Sequence, residues 1–93
     1  MVGVLTLHIH LSACTSLKEK RGRLKPLLHR LQREFNVSVA EMGRQDSWQE
    51  AVVACAMVGN DAAFLQSALE NVKRWIRQNW PDGEVMDDGM ELM

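Results

Sequence analysis

Seven of the eleven lysine and arginine residues of this chain lie close together in one short segment. Ammonium and guanidinium groups gathered on one surface attract phosphate, and they bind nucleic acid by replacing the counterions around it. Only Glu19 and Glu34 offset these cations locally, whereas residues 82–93 hold five carboxylates and no base. The formal net charge of −1 therefore hides one positive and one negative region. The candidate nucleic-acid-binding residues are Lys18, Lys20, Arg21, Arg23, Lys25, Arg30 and Arg33.

A pair of histidines, His8 and His10, is spaced so that both imidazoles point to the same face of a strand. Two ligands do not make a metal site. A third would have to come from Glu41, Cys55 or another chain, and the spacing of the residues specifies none of these. We therefore expect no metal and no cofactor, and we interpret the pair as surface or interface histidines. In a dimer contact, their protonation near about pH 6 would bring like charges together and loosen the contact.

Catalytic motifs are absent from the sequence. It contains no nucleophile elbow, Walker loop, dinucleotide-binding glycine pattern or zinc-protease motif. The spacing of Cys14, Ser16 and His29 does not predict a triad. The sequence predicts a protein that is not an enzyme.

The most unusual polar cluster surrounds Gln45 and Asp46, in the turn before an apolar strand. We predict Trp48 as a residue that plugs the core and Asp46 as a hydrogen-bond acceptor within the turn. The alternative is that Trp48 stacks on a ligand.

The elements that position these residues follow from hydrophobic periodicity. Residues 2–11 alternate as a strand, with the leucines and Ile9 on one face and both histidines on the other. Ser16 and Glu19 form a capping box that predicts a helix starting near Leu17. Its apolar residues recur at helical spacing, and Pro26 predicts a kink within it but no break.

The rest of the chain continues this pattern. It predicts a short edge strand at 37–41, a turn at 42–47, a strand at 48–58 that is apolar on both faces, a helix from the cap Asp61 to about Gln78, and a last strand at 84–93. The order β-α-β-β-α-β predicts an α+β, ferredoxin-like fold. In this fold two helices cover one face of a four-stranded antiparallel sheet whose middle strands are the first and third. We expect residues 1–93 to form a single domain.

The sheet face opposite the helices is predicted to be bare, with four apolar side chains of the third strand exposed. A second copy of the chain is the simplest cover, and the alternative is a monomer with a mildly apolar face.

Composition limits the location of the protein. Cys14 and Cys55 lie among small or apolar residues and are predicted to be buried, reduced thiols. There is no secretory signal pattern and no stretch approaching the ~20 apolar residues of a membrane span. We expect a cytoplasmic protein without membrane contact.

Three interpretations of the basic helix remain open: a solvated surface, a nucleic-acid site, or a site for an acidic protein. The chain has no Tyr and its strands lack the aromatic residues on which an RRM stacks bases. The nucleic-acid interpretation therefore predicts contacts to the backbone of structured RNA or of a ribosomal subunit. The competing class is a dimeric protein-interaction scaffold that uses the open sheet face or the acidic C-terminal strand.

Several segments in order resemble one small bacterial family, the YlxP-like proteins or domain of unknown function 503. They are Ser16-Leu17-Lys18-Glu19-Lys20-Arg21, Phe35-Asn36-Val37-Ser38-Val39-Ala40-Glu41, Gln45-Asp46-Ser47-Trp48-Gln49 and Asn60-Asp61. The resemblance covers almost the whole chain and implies a ferredoxin-like fold. Its members are commonly encoded beside transcription-elongation and translation-initiation factors and a ribosome-binding factor, which implies a role near RNA or ribosome assembly. It supplies no catalytic or ligand residues.

Overall fold

The computed structural model describes residues 1–44 and 46–93, which form six elements of secondary structure. They are β1 Val2–His10, α1 Leu17–Glu34, β2 Ser38–Gly43, β3 Glu50–Val58, α2 Ala62–Asn79 and β4 Glu84–Leu92. One antiparallel sheet has the strand order β2-β3-β1-β4, so the first and third strands lie in the middle. The predicted α+β, ferredoxin-like fold is confirmed.

The core lies between the helices and one face of the sheet. Leu5 and Leu7 of β1 are fully buried and stand opposite Cys55 and Val53 of β3. The helices cover them with leucines and other aliphatic residues at helical spacing: Leu24, Leu27 and Leu31 from α1, and Leu65, Leu69, Val72 and Ile76 from α2. The alternation predicted for β1 is confirmed.

Helix α1 begins at Leu17 as the capping box predicts. The Ser16 hydroxyl accepts a hydrogen bond from the Glu19 amide at 3.0 Å, and the Glu19 carboxylate accepts one from the Thr15 amide at 2.6 Å. The Thr15 bond lowers the pKa of the Glu19 carboxyl. Pro26 lies inside the helix, which runs through it without a break.

The loop between β2 and β3 differs from the prediction. Strand β3 begins at Glu50, so Trp48 lies in the loop, where about half of its surface is exposed. The prediction that Trp48 plugs the core is wrong. The Ser47 hydroxyl accepts a hydrogen bond from the Glu50 amide at 3.2 Å, so the chain is still turning at Trp48 and enters the strand only after it. Gln45 lies outside the described residues.

Both cysteines are buried and unpaired, as predicted. Burial raises the pKa of the Cys55 thiol to about 11. Within residues 1–44 and 46–93, neither helix has the length and apolar character needed to span a bilayer.

Candidate nucleic-acid interface

Four of the seven predicted cations share the solvent face of α1. Lys18, Arg21, Lys25 and Arg33 are all exposed, and at 100° per residue their Cα positions fall within about one third of the helix circumference. They extend over about 22 Å at a rise of 1.5 Å per residue. We call these four residues the basic stripe.

The basic stripe carries no carboxylate between its cations. The other exposed residues inside it are Gly22, His29 and Gln32, while Glu19 and Glu34 lie at helix positions rotated away from its centre. Within the described part of the chain, no ion pair engages any of the four cations. Their field is therefore not cancelled locally.

Arg23 is not part of this surface. Its Nε donates to the Asp82 carboxylate at 3.1 Å, its Nη1 donates to the Ser12 carbonyl at 3.0 Å, and its Nη2 donates to the Asp82 carbonyl. Only 19% of the side chain is exposed. Arg23 joins α1 to the loop before β4 and is held by that loop's own acceptors.

Arg30 is also held within the molecule, by α2. Its guanidinium lies 4.8 Å from the centre of the Trp75 ring, and Nη1 donates to the Asn79 carbonyl at 3.1 Å. The Phe35 ring stands perpendicular to the same indole, with the ring centres 6.0 Å apart. Arg30 therefore helps to fasten the two helices together.

Lys20 is buried, with 1% of its side chain exposed. Its ammonium donates to the Arg44 carbonyl at 2.6 Å and to the Ser47 carbonyl at 2.8 Å, and it lies 3.0 Å from the Glu41 carboxylate. The structure thus brings together four of the seven predicted residues and turns Lys20, Arg23 and Arg30 inward. The reason is rotational: Lys20 falls on the buried row of α1, and the other two face neighbouring elements.

The bases of α2 are mostly neutralised, in contrast to the basic stripe. Lys73 lies 3.1 Å from Glu70 and 3.2 Å from Asp88, and these hydrogen bonds raise the pKa of its ammonium. Arg77 lies 3.6 Å from the same Asp88. Arg74 is exposed and donates to Asn71.

The open sheet face has the apolar centre that was predicted. Val52, Ala54 and Ala56 of β3 are half-buried and Val58 is exposed, as expected for a strand with apolar residues on both faces. No Phe, Tyr or Trp lies on the strands that form this face. A base-stacking platform is therefore not found on the sheet.

The two histidines lie at one end of the open face. The Nδ1 atom of His10 lies 2.9 Å from the Glu50 carboxylate, and His8 stands opposite Asp87 of β4. Among the residues that the structure describes, no three His, Cys, Asp or Glu side chains form a cluster able to hold a metal ion.

The loop before β3 lies against the first turns of α1. One depression is lined by Leu17, Lys20, Arg21, Glu41 and Asp46, and the next by Asp46, Ser47, Trp48, Gln49 and Glu50. The hydroxyl acceptor in this turn is Ser47, at the position next to the predicted Asp46. The exposure of Trp48 was not predicted from the sequence. The turn-forming residues Asp46 and Ser47 just before it are the pattern that indicates a loop position.

This chain is similar to a family of proteins and to a bacterial relative. The family model described as "Protein of unknown function (DUF503)" matches residues 2–88. "Uncharacterized protein YlxP" of Bacillus subtilis (strain 168) is 37% identical over 76 residues, which cover 82% of this chain and 83% of the relative.

Proposed function

We propose that this chain, which belongs to the DUF503 family, is a non-enzymatic module that binds the phosphate backbone of structured RNA through the basic stripe of α1. The observation that supports this most is the set of four exposed cations on one helix face with no carboxylate between them. A folded domain gains nothing from placing like charges side by side. A polyanion laid along the stripe removes that repulsion and releases its own counterions.

The position of Lys18 adds to this argument. It lies in the first turn of α1, where the helix dipole disfavours a cation by about 0.3 to 1 kcal/mol. Phosphate reverses the sign of that interaction, because an anion is stabilised by the same dipole. Bound RNA therefore relieves a cost that the free protein carries.

The shape of the surface favours duplex or folded RNA. The stripe presents its charges at fixed positions over about 22 Å of a helix, and it holds no Phe, Tyr or Trp among them. Such a surface follows the geometry of the backbone and has little preference for sequence.

Two double variants with the same change in net charge test the proposal. Each cation that contacts phosphate contributes about eightfold in affinity at 0.1 M salt, at about 0.9 counterions released per contact. Lys25→Ala with Arg33→Ala should weaken binding to a labelled RNA hairpin by roughly 60-fold in fluorescence anisotropy. Arg74→Ala with Arg77→Ala on α2 is the matched control and should change affinity less than threefold. Equal losses in both variants, or no binding by the parent protein, would refute the proposal.

The open sheet face supports a second candidate, a homodimer that serves as a protein scaffold. The sheet measures about 19 by 30 Å, at 4.8 Å per strand and 3.3 Å per residue. That is of the same order as the ~800 Å² that each partner buries in a standard interface. The small side chains Thr6, Ala54 and Ala56 let an identical flat face approach closely.

Light scattering at increasing protein concentration tests the dimer. We expect the mass of two chains for the parent protein and of one chain for Ala54→Lys, which places a charge at the centre of the face. Ser67→Lys on the exposed side of α2 is the control and should remain dimeric. A single-chain mass for the parent at all concentrations would exclude this candidate.

A further inference from the structure

Trp48 is unusual among the three tryptophans of this protein. Trp80 is buried and Trp75 is enclosed by Arg30 and Phe35, but 53% of Trp48 is exposed on the β2–β3 loop. Indole is the side chain with the largest apolar surface to remove from water. Its exposure has no benefit for the core, so the ring is available to a ligand.

The loop that carries Trp48 is fastened on both sides. The buried Lys20 ammonium donates to the carbonyls of Arg44 and Ser47, and its charge pairs with Glu41 on the strand before the loop. Arg44 adopts a left-handed backbone conformation with φ of 61°. These contacts hold Arg44 and Ser47 next to α1, so that less order has to be created there when a ligand binds.

The same loop lies beside one end of the basic stripe. Arg21, a member of the stripe, lines a depression together with Asp46. Asp46 also lines the adjoining depression, of about 380 Å³, which Trp48 borders. A chain of phosphates that leaves the stripe at Arg21 therefore arrives next to an exposed indole and a carboxylate.

The chemistry of this place fits a base better than a phosphate. A carboxylate repels phosphate but accepts hydrogen bonds from the amino groups of guanine, adenine or cytosine. Unpaired bases stack on aromatic side chains while their edges are hydrogen-bonded in this way. Glu41 and Glu50 are engaged by Lys20 and His10, which leaves Asp46 as the acceptor.

A cationic peptide is the other ligand that an indole and a carboxylate could attract. Such a peptide would meet Arg21, which lines the same depression as Asp46 and which no ion pair engages among the described residues, whereas the Lys20 charge there is paired with Glu41. Arg21 can instead contact a phosphate that flanks a stacked base, and this favours nucleic acid on the side of the loop that faces α1.

We propose that the RNA bound by this protein carries an unpaired, amino-bearing nucleotide next to its duplex, which stacks on Trp48 and donates to Asp46. The inference rests on the proposed function, because it requires phosphates along the basic stripe. The stacking and the hydrogen bond form only with an RNA that has an unpaired nucleotide at this place. They therefore make the protein select among structured RNAs.

Two hairpins with the same stem test it, one fully paired and one with a single guanine bulge. We expect the parent protein to bind the bulged RNA about tenfold more tightly, and the bulge to quench tryptophan emission. Trp48→Ala should abolish both the preference and the quenching and leave affinity for the paired hairpin unchanged. Trp48→Phe should retain most of the preference, and a urea unfolding curve for each variant checks that the fold is intact.

A uracil bulge and Asp46→Asn test the hydrogen bond. The parent protein should bind the guanine bulge more tightly than the uracil bulge, and Asp46→Asn should reduce that difference. Equal affinity for paired and bulged RNA, or a preference that survives Trp48→Ala, overturns this inference and leaves the proposed function standing. Absence of binding to either hairpin overturns both, and binding of an arginine-rich peptide at Trp48 in place of RNA overturns the inference alone.

Discussion

The ammonium of Lys20 lies within 3.0 Å of three oxygens, two backbone carbonyls of the β2–β3 loop and the Glu41 carboxylate. The aliphatic stem of the residue follows the leucine row of α1, and its charged end donates to the two carbonyls and supplies an opposite charge to Glu41. One signal of this was visible in the sequence, because Lys20 stands four residues before Leu24 and seven before Leu27. The carbonyl acceptors leave no mark in a sequence, so the loop contact could not be predicted.

Replacing this group should destabilise the fold. Lys20→Met keeps most of the apolar stem but leaves Glu41 and two carbonyls without the ammonium, and we expect a loss of about 3 kcal/mol in the free energy of unfolding. Urea denaturation followed by circular dichroism measures it. Lys18→Met, at an exposed position of the same helix, should change stability by less than about 0.5 kcal/mol. Equal effects of the two variants would show that the Lys20 contacts do not stabilise the loop.

The buried thiol of Cys55 predicts a dependence of stability on pH. Burial raises its pKa from 9.0 to about 11, so the folded protein holds the proton more tightly than the unfolded chain does. The resulting stabilisation is complete below pH 9.0 and is lost as the pH rises toward about 11.

Between about pH 8 and pH 10, the parent protein should therefore lose about 1 kcal/mol more stability than Cys55→Ala does. Urea unfolding of both proteins at the two pH values measures this difference. The variant has its own cavity cost at each pH, and that cost cancels in the comparison. An identical pH dependence in the two proteins would contradict the assignment to Cys55.

At the scale of the element, α1 divides its cations by rotation. Residues on the buried row face the core, those on the flanks reach α2 and the loop before β4, and those on the remaining face form the basic stripe. The start of the helix and its continuation through Pro26 were predictable, because capping and periodicity are local properties. The partner of Arg23 was not predictable, because Asp82 is 59 residues away in the sequence and is brought next to Arg23 only by the tertiary fold.

The middle of α1 offers a clean test of helix propensity at Gly22. A methyl group added there meets no atom within 4 Å, and the position is exposed, so Gly22→Ala should stabilise the protein by about 0.5 to 1 kcal/mol. Gly3→Ala provides the contrast and should destabilise the protein, because its Cβ would lie 2.9 Å from the Leu69 side chain in the core. Thermal unfolding of both variants measures the two shifts. Destabilisation by Gly22→Ala would mean that its surroundings tolerate no side chain.

At the scale of the whole molecule, the fold separates charge that the composition averages out. The basic stripe lies on the helix layer, while Glu84, Asp87 and Glu91 are exposed on the edge strand β4. The strand order and the buried faces could be predicted, because alternating and helical patterns each permit few arrangements. The number of exposed Lys and Arg residues on α1 could not be predicted. It depends on how α1 is rotated against the sheet and on acceptors supplied by distant segments.

The central claim is that four cations, and not seven, meet the RNA backbone. The slope of log affinity against log salt concentration for a fully paired RNA hairpin counts these contacts, at about −0.9 for each. We predict a slope of about −3.6 for the parent protein. A slope near zero, or one of about −6 as seven contacts would give, would contradict the account.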